Sequence, residues 1–334
     1  MLKRILIISD GIPGHVNQSR GIATLLKTKF NFSTSEVELE YKINFLRSPI
    51  QIIARTLCGK MNNYLARVII NFYKKIKVEK YNLIIAAGGN TAPIVAAFKH
   101  KYNIPAIQLG SPRGLIHSSL FNALITVEKY FNHPANVVTD ITPNLYSPKI
   151  CYLAAKDKNM SEHLLFLIGG KGIGYSYSTL EWESLISNIL AINETSNIPI
   201  SIVTSRRTDP SIEAKIDNHL SKVNIGYSVW FHKGDKNFNL AALLGSAKKI
   251  FVTEDSTMMI SESISSGRPV STIYPSNINS PIRYKKHIQK LEDLKYIIRQ
   301  PIQSFSVDFL NDSKQRVQDH NQEILETIIA KVNW

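Results

Sequence analysis

Three times along the chain, a short unbroken apolar run rich in Ile and Leu stops at a glycine turn and gives way to a helical pattern. The first is Arg4-Ile5-Leu6-Ile7-Ile8-Ser9, which meets Asp10-Gly11-Ile12-Pro13-Gly14 and enters a helical pattern from about Val16. The second runs Tyr81-Asn82-Leu83-Ile84-Ile85-Ala86-Ala87, then Gly88-Gly89-Asn90-Thr91, then an Ala-rich stretch to Lys99. The third, Leu164-Leu165-Phe166-Leu167-Ile168, ends at Gly169-Gly170-Lys171-Gly172. A strand solvated on one face alternates apolar and polar residues, so strands without that alternation must be covered on both faces. Strands of this kind alternating with helices specify a parallel sheet between two helical layers, the Rossmann-like arrangement. Further short strands are expected at residues 105–109, 198–203 and 249–252.

A chain of 334 residues is too long for one ordinary core and suits two α/β domains. Residues 155–162 lose apolar periodicity and mark the expected linker. The expected organisation is an α/β chain with two Rossmann-like domains facing a cleft: residues 1–155, residues 163–310, and a helix in 311–334 that can pack back on the first domain. With 44% hydrophobic and 20% charged residues, the whole chain is expected to fold.

The net charge of +14 is unevenly placed. Residues 1–150 hold 19 Lys/Arg against 7 Asp/Glu, whereas residues 151–334 hold 21 against 19. Such asymmetry marks a surface for an anionic partner. Within residues 45–80, Arg47, Arg55, Lys60, Arg67, Lys74, Lys75, Lys77 and Lys80 face the single acid Glu79 and are interleaved with apolar residues such as Phe45, Ile52, Ile53 and Ile69. This composition points to an anionic membrane surface, presenting a lipid-linked acceptor beside Gly14 and His15. The competing assignment places those apolar residues in the domain core. No aromatic-interleaved basic motif or helix-turn-helix spacing accompanies the charge, so nucleic acid is not expected as a partner. Cys58 and Cys151 lie far apart, without metal-ligand spacing, and no apolar run reaches 18 residues. The expected location is cytoplasmic, peripheral on the inner face of a membrane.

In open parallel sheets, ligands bind outside the carboxyl ends of the strands, which makes the loops there the candidate site. The first of these, Asp10 to Ser19, joins glycines to His15, a side chain suited to proton transfer near neutral pH, at a helix N-terminus that favours an anion. Asp10 and His15 compete for the role of base, and Gly14, Asn17 and Gln18 are candidate substrate contacts. The turn from Gly169 and Gly170 to Gly174 has G-x-G spacings but lacks the acidic partner of a dinucleotide fingerprint. In Ser205-Arg206-Arg207-Thr208, two guanidiniums between hydroxyls can offer forked donors to a diphosphate, the alternative being an exposed arginine pair. Glu254, Asp255, Ser256 and Thr257 lead from a strand into a helix bearing Glu262. Hydroxyls at the helix N-terminus suit a phosphate and the carboxylate suits a ribose diol, unless Ser256 is only a cap and Glu262 only a surface residue.

With these residues in view, the chain resembles the mitochondrial-fission ELM-like family, grouped with glycosyltransferases. The resemblance rests on three motifs over residues 1–310: Gly11-x-Pro13-Gly14-His15-x-Asn17-Gln18-Ser19; Thr204-Ser205-Arg206-Arg207-Thr208; and Val252-Thr253-Glu254-Asp255-Ser256 through Glu262 to Gly267-Arg268-Pro269. The last also resembles the donor-binding stretch of GT-B enzymes such as the peptidoglycan N-acetylglucosaminyltransferase. That resemblance implies a GT-B-like fold and a glycosyltransferase that takes a nucleotide-sugar as substrate, with no cofactor and no metal. It places Ser256 and Thr257 on the diphosphate and Glu262 on the ribose. The alternatives are a nucleotide-sugar epimerase of the same fold and a non-catalytic membrane-associated scaffold.

Overall fold

The computed structural model describes residues 3–43, 47–220, 224–235, 237–312, 315 and 317–332. The chain divides into two compact units, Met1–Leu145 with His320–Trp334, and Tyr146–Asp319.

The first unit contains, in chain order, β1 (Lys3–Ser9), α1 (Pro13–Lys27), β2 (Phe32–Glu38), α2 (Arg47–Cys58), α3 (Asn63–Asn71), β3 (Leu83–Ala87), α4 (Ala92–Tyr102), β4 (Ala106–Leu109), β5 (Ala123–Thr126) and β6 (Asn136–Val138). Its six strands are all parallel, in the order β2-β1-β3-β4-β5-β6. The unbroken apolar runs serve two cores at once, because successive side chains point to opposite faces of the sheet. Ile5, Ile7, Leu83 and Ile85 join one cluster with Ile22 and Leu26 of α1. Leu6, Ile8, Ile84 and Ala86 join the other with residues of α2, α3 and α4.

Part of the basic stretch at residues 45–80 belongs to the domain core. Ile50, Ala54 and Cys58, spaced by four along α2, are buried with Ala66, Ile69 and Tyr73 in the core. Ile52 and Ile53 face outward. Phe45 and the Arg47 side chain lie outside the described residues. Among the described residues, no helix is long and apolar enough to cross a membrane.

The second unit contains α5 (Pro148–Asp157), β7 (His163–Ile168), α6 (Thr179–Ser196), β8 (Ile200–Thr204), α7 (Pro210–Leu220), β9 (Ile225–Val229), α8 (Leu240–Ser246), β10 (Ala247–Thr253), α9 (Thr257–Ser265), β11 (Val270–Tyr274), α10 (Ile282–Asp293), β12 (Ile298–Pro301) and α11 (Phe309–Asp312). Its six strands are also all parallel, in the order β12-β11-β10-β7-β8-β9. Leu164, Phe166 and Ile168 pack against Trp182, Leu185 and Ile189 of α6, and the Phe166 and Phe251 rings stack with centroids 4.7 Å apart. A reciprocal cap starts α6. Ser178 Oγ accepts from the Glu181 amide at 3.3 Å, and the Glu181 carboxylate accepts from the Ser178 amide at 2.8 Å. Ser178→Ala is expected to cost about 1 kcal/mol of stability, read by urea denaturation.

The division between units falls between Leu145 and Tyr146, not in the polar stretch 155–162. That stretch is instead the end of α5 and the turn into β7, where Asn159 takes a left-handed φ of 49°. Apolar periodicity fades there because a helix ends. The α5 helix is fixed within the second unit by buried Cys151 and Ala155, and its Cys151 carbonyl lies so near Gly245 that a Cβ there would sit 1.9 Å away. After α11, the chain returns to the first unit as α12 (His320–Val332), which adds Ile324, Leu325, Ile328 and Val332 to the core beside α1.

Candidate functional site

Each sheet reverses its winding once, between β1 and β3 in the first unit and between β7 and β10 in the second. At such a reversal, the loops leaving the carboxyl ends of the two strands diverge to opposite faces and open a crevice. The candidate residues cluster at these two places.

In the first unit, Asp10 follows β1 and is buried, its side chain only 1% exposed. Its carboxylate accepts from the Ile12 amide at 3.3 Å, from Asn90 Nδ2 at 3.1 Å and from His15 Nδ1 at 3.0 Å. Burial pushes the Asp10 carboxyl up. The hydrogen bond and charge of His15, with the Ile12 and Asn90 amides, outweigh that and hold it below the usual carboxylate range. An ionised carboxylate at Nδ1 keeps the proton on that nitrogen, leaving the lone pair on Nε2. The His15 side chain is 30% exposed.

The loop after β3 completes the arrangement. Gly88 has a φ of 87°, and a Cβ on it would lie 2.3 Å from His15 Nδ1, so only glycine leaves room for the imidazole. A Cβ on Gly89 would lie 2.9 Å from Arg113 Cδ. Arg55 donates to the Gly89 carbonyl at 3.3 Å and to Asn90 Oδ1 at 2.8 Å, orienting the Asn90 amide that serves Asp10. The sequence marks Gly88, Gly89 and Asn90 only as a turn and Arg55 only as part of the basic stretch, and it does not single out Arg113. The legible signal was the second glycine turn at the end of a strand. The α1 N-terminus is less open to an anion than its sequence implied. Pro13 has no amide, and the His15 and Val16 amides both donate to the Ile12 carbonyl, leaving that of Gly14. Asn17 and Gln18 are partly exposed and make no side-chain hydrogen bond among the described residues.

In the second unit, the predicted residues come together but largely bind one another. Asp255 is fully buried, receives Thr253 Oγ1 at 2.7 Å and pairs with Arg207 Nε at 3.2 Å. Burial raises its carboxyl pKa, with Arg207 opposing. Gly169 and Gly170 are bare because Asp255 and the Arg207 carbonyl occupy the space a Cβ would need, at 2.2 and 2.1 Å. Arg207 also donates to the Asp255 carbonyl at 3.1 Å, and Ser205 Oγ accepts from the Arg207 amide, so this guanidinium braces the crevice instead of offering a free fork. Arg206 is the exposed member of the pair. Thr208 is buried, its hydroxyl meeting the Ile168 and Gly169 carbonyls at 2.9 and 2.8 Å. Glu254 takes both donors of Arg299, at 2.7 and 3.0 Å, with Tyr175 and Thr272, and so ties β10 to β12.

Two features of this loop and helix are not committed in this way. Ser256 caps α9, its Oγ accepting from the Met259 amide at 3.3 Å, which leaves the Thr257 and Met258 amides at a helix start with no acid in the first turn. Glu262 is buried, makes no hydrogen bond or ion pair among the described residues, and is pushed up to about 7 by that burial. Tyr146 lies near it; burial, then the Glu262 charge, raises its phenol. Beyond β7 and β8, a cavity of about 500 Å³ is lined by Lys171, Tyr177, Trp182, Arg206 and His232 among others.

Two α/β units, each built on an all-parallel six-stranded sheet, make a GT-B-like fold. The fold is similar to that of the UDP-GlcNAc 2-epimerase from Methanocaldococcus jannaschii, with a TM-score of 0.56 and 10% identity over 98% of this chain and 100% of that one. It is also similar to Medicago truncatula UGT71G1 complexed with UDP-glucose, with a TM-score of 0.50 and 10% identity over 99% and 97%. The chain belongs to the family described as mitochondrial fission ELM1, whose model matches residues 13–320. It is 24% identical to the uncharacterized protein RP120 of Rickettsia prowazekii (strain Madrid E), across 93% of this chain and 96% of that protein.

Proposed function

We propose that the protein is a glycosyltransferase that takes a nucleotide-sugar donor in its second unit and activates an acceptor hydroxyl in its first. The observation that carries this is the Asp10–His15 pair at the β1–β3 crossover, a buried carboxylate holding a partly exposed imidazole through Nδ1. In the reaction, His15 Nε2 takes the acceptor proton as the acceptor oxygen bonds to the anomeric carbon. The bond from that carbon to the diphosphate breaks, and a nucleoside diphosphate leaves. The Thr257 and Met258 amides at the start of α9 meet the leaving charge, Glu262 accepts from the ribose diol, and Arg206 adds positive charge near the diphosphate.

A membrane-associated acceptor is supported by the excess of 19 Lys/Arg over 7 Asp/Glu in residues 1–150. The donor side is tested by thermal denaturation with a panel of nucleoside diphosphates. One of them is expected to stabilise the protein by about 2.7 kcal/mol at a hundredfold excess over its Kd. If none does, the second unit is not a nucleotide site. Conversion of UDP-GlcNAc to its C2 epimer with no transfer would identify an epimerase instead.

A further inference from the structure

We infer that the crevice of the first unit takes an anionic amphiphile, a phosphate-bearing lipid at a bilayer surface, with Arg113 binding the anion and the outer face of α2 the apolar part. This rests on the acceptor role proposed for the first unit. His15 and Arg113 lie against consecutive glycines, the imidazole over Gly88 and the arginine stem over Gly89. The base and the cation that would hold an anion are therefore carried against neighbouring residues of one loop. Arg20 is committed to Glu36, and Arg55 to Gly89 and Asn90; Arg4, in β1, and Arg67, in α3, are exposed without a side-chain partner among the described residues, but neither lies against these glycines. The Arg113 guanidinium is exposed and makes no hydrogen bond or ion pair among the described residues.

The loop carrying Arg113 is laid along α2. Gly114, with a φ of 63°, brings the backbone against Arg55, and a Cβ on Gly59 would lie 2.8 Å from the Leu115 side chain. Leu115 is nevertheless 56% exposed, as are Ile52 at 64% and Ile53 at 47%. Exposed Leu115, two residues from an unpaired guanidinium, and exposed Ile52 and Ile53 on the helix this loop is laid along offer a water-soluble acceptor nothing, whereas a lipid headgroup with its first methylenes satisfies both kinds of group. Charge complementarity supports the same occupant, because Glu79 is the single acid among eight basic residues in 45–80.

The test is co-sedimentation of the full chain with vesicles of phosphatidylcholine alone or mixed with phosphatidylglycerol. The parent is expected to bind only the mixed vesicles, and less as salt is added. Arg113→Gln should lower partitioning about fivefold, as expected for one cation at an anionic surface. Ile52→Ser combined with Ile53→Ser should lower it about tenfold or more by removing apolar burial. Both substitutions are on exposed side chains, and stabilisation by nucleoside diphosphate should survive them. Displacement of the parent from vesicles by millimolar inorganic phosphate at constant ionic strength would show that a soluble phosphate is the ligand and overturn the lipid assignment. Equal binding of parent and both variants would also overturn it, and would leave the nucleotide site untouched. Vesicle binding that follows these residues, in a protein that no nucleotide stabilises, would uphold the lipid site and contradict the transferase.

Discussion

His15→Ala is expected to lower sugar-transfer turnover by about 10²- to 10⁴-fold, the usual contribution of a positioned general base. Nucleotide affinity should be unchanged, because the leaving diphosphate is assigned to groups after β10. Asp10→Asn tests the other half of the pair. Asp10 is buried and saturated by Ile12, Asn90 and His15, so it cannot itself reach an acceptor, and its part is to fix the imidazole tautomer. The replacing carboxamide would still fit but would no longer demand a proton on Nδ1. The loss should appear in kcat, with KM for the donor unmoved. Full activity in His15→Ala would remove the base from the proposed chemistry. Asp10 also has a stability signature. Because its folded pKa is depressed, its contribution is present above the ordinary value of 3.8 and is lost as pH falls through the lower folded value.

Glu262→Gln is expected to stabilise the ligand-free protein while weakening its hold on the donor. Burial raises this carboxyl from 4.5 to about 7. Below the lower value, both folded and unfolded chains are protonated and Glu262 costs nothing. As pH rises between the two values, the unfolded chain ionises first and the folded state loses stability. Above about 7 the penalty is complete and on the order of 3 kcal/mol. Urea denaturation should therefore show the parent losing stability across that window and the Glu262→Gln variant losing less. A ribose diol supplies the two donors that the ionised carboxylate lacks, so donor affinity should rise with pH through the same range, with proton uptake by the buffer. A flat pH dependence in both proteins would return Glu262 to a purely structural role.

The fold was largely legible because its signal is local. Ile5 to Ile8, Leu83 to Ala87 and Leu164 to Ile168 could be read as strands covered on both faces, and the glycine turns marked the carboxyl ends where ligands gather. The boundary was misplaced because a helix end and a domain end look alike in sequence. Both leave polar residues without period, and only the packing of Cys151 and Ala155 shows to which unit α5 belongs. At the sites, sequence supplied residue types without their partners. Arg206 and Arg207 are adjacent and chemically alike, yet one pairs with buried Asp255 and the other is exposed. Glu254, Asp255 and Glu262 are three acids within nine residues. Arg299 claims the first, from 45 positions away, Arg207 the second, from 48, and, among the described residues, no side chain the third. Asp10 and His15 could not be ranked by spacing, because the ranking depends on Asn90, which the sheet brings from 80 residues away.

Isothermal titration of the stabilising nucleoside diphosphate into the parent and the Glu262→Gln protein, at about pH 6 and about pH 8, tests the central claim most directly. The transferase predicts saturable one-site binding by the parent, tighter at the higher pH, and a variant that is folded but at least about tenfold weaker at that pH. Absence of binding by the folded parent, or equal affinities of parent and variant at both pH values, would contradict it.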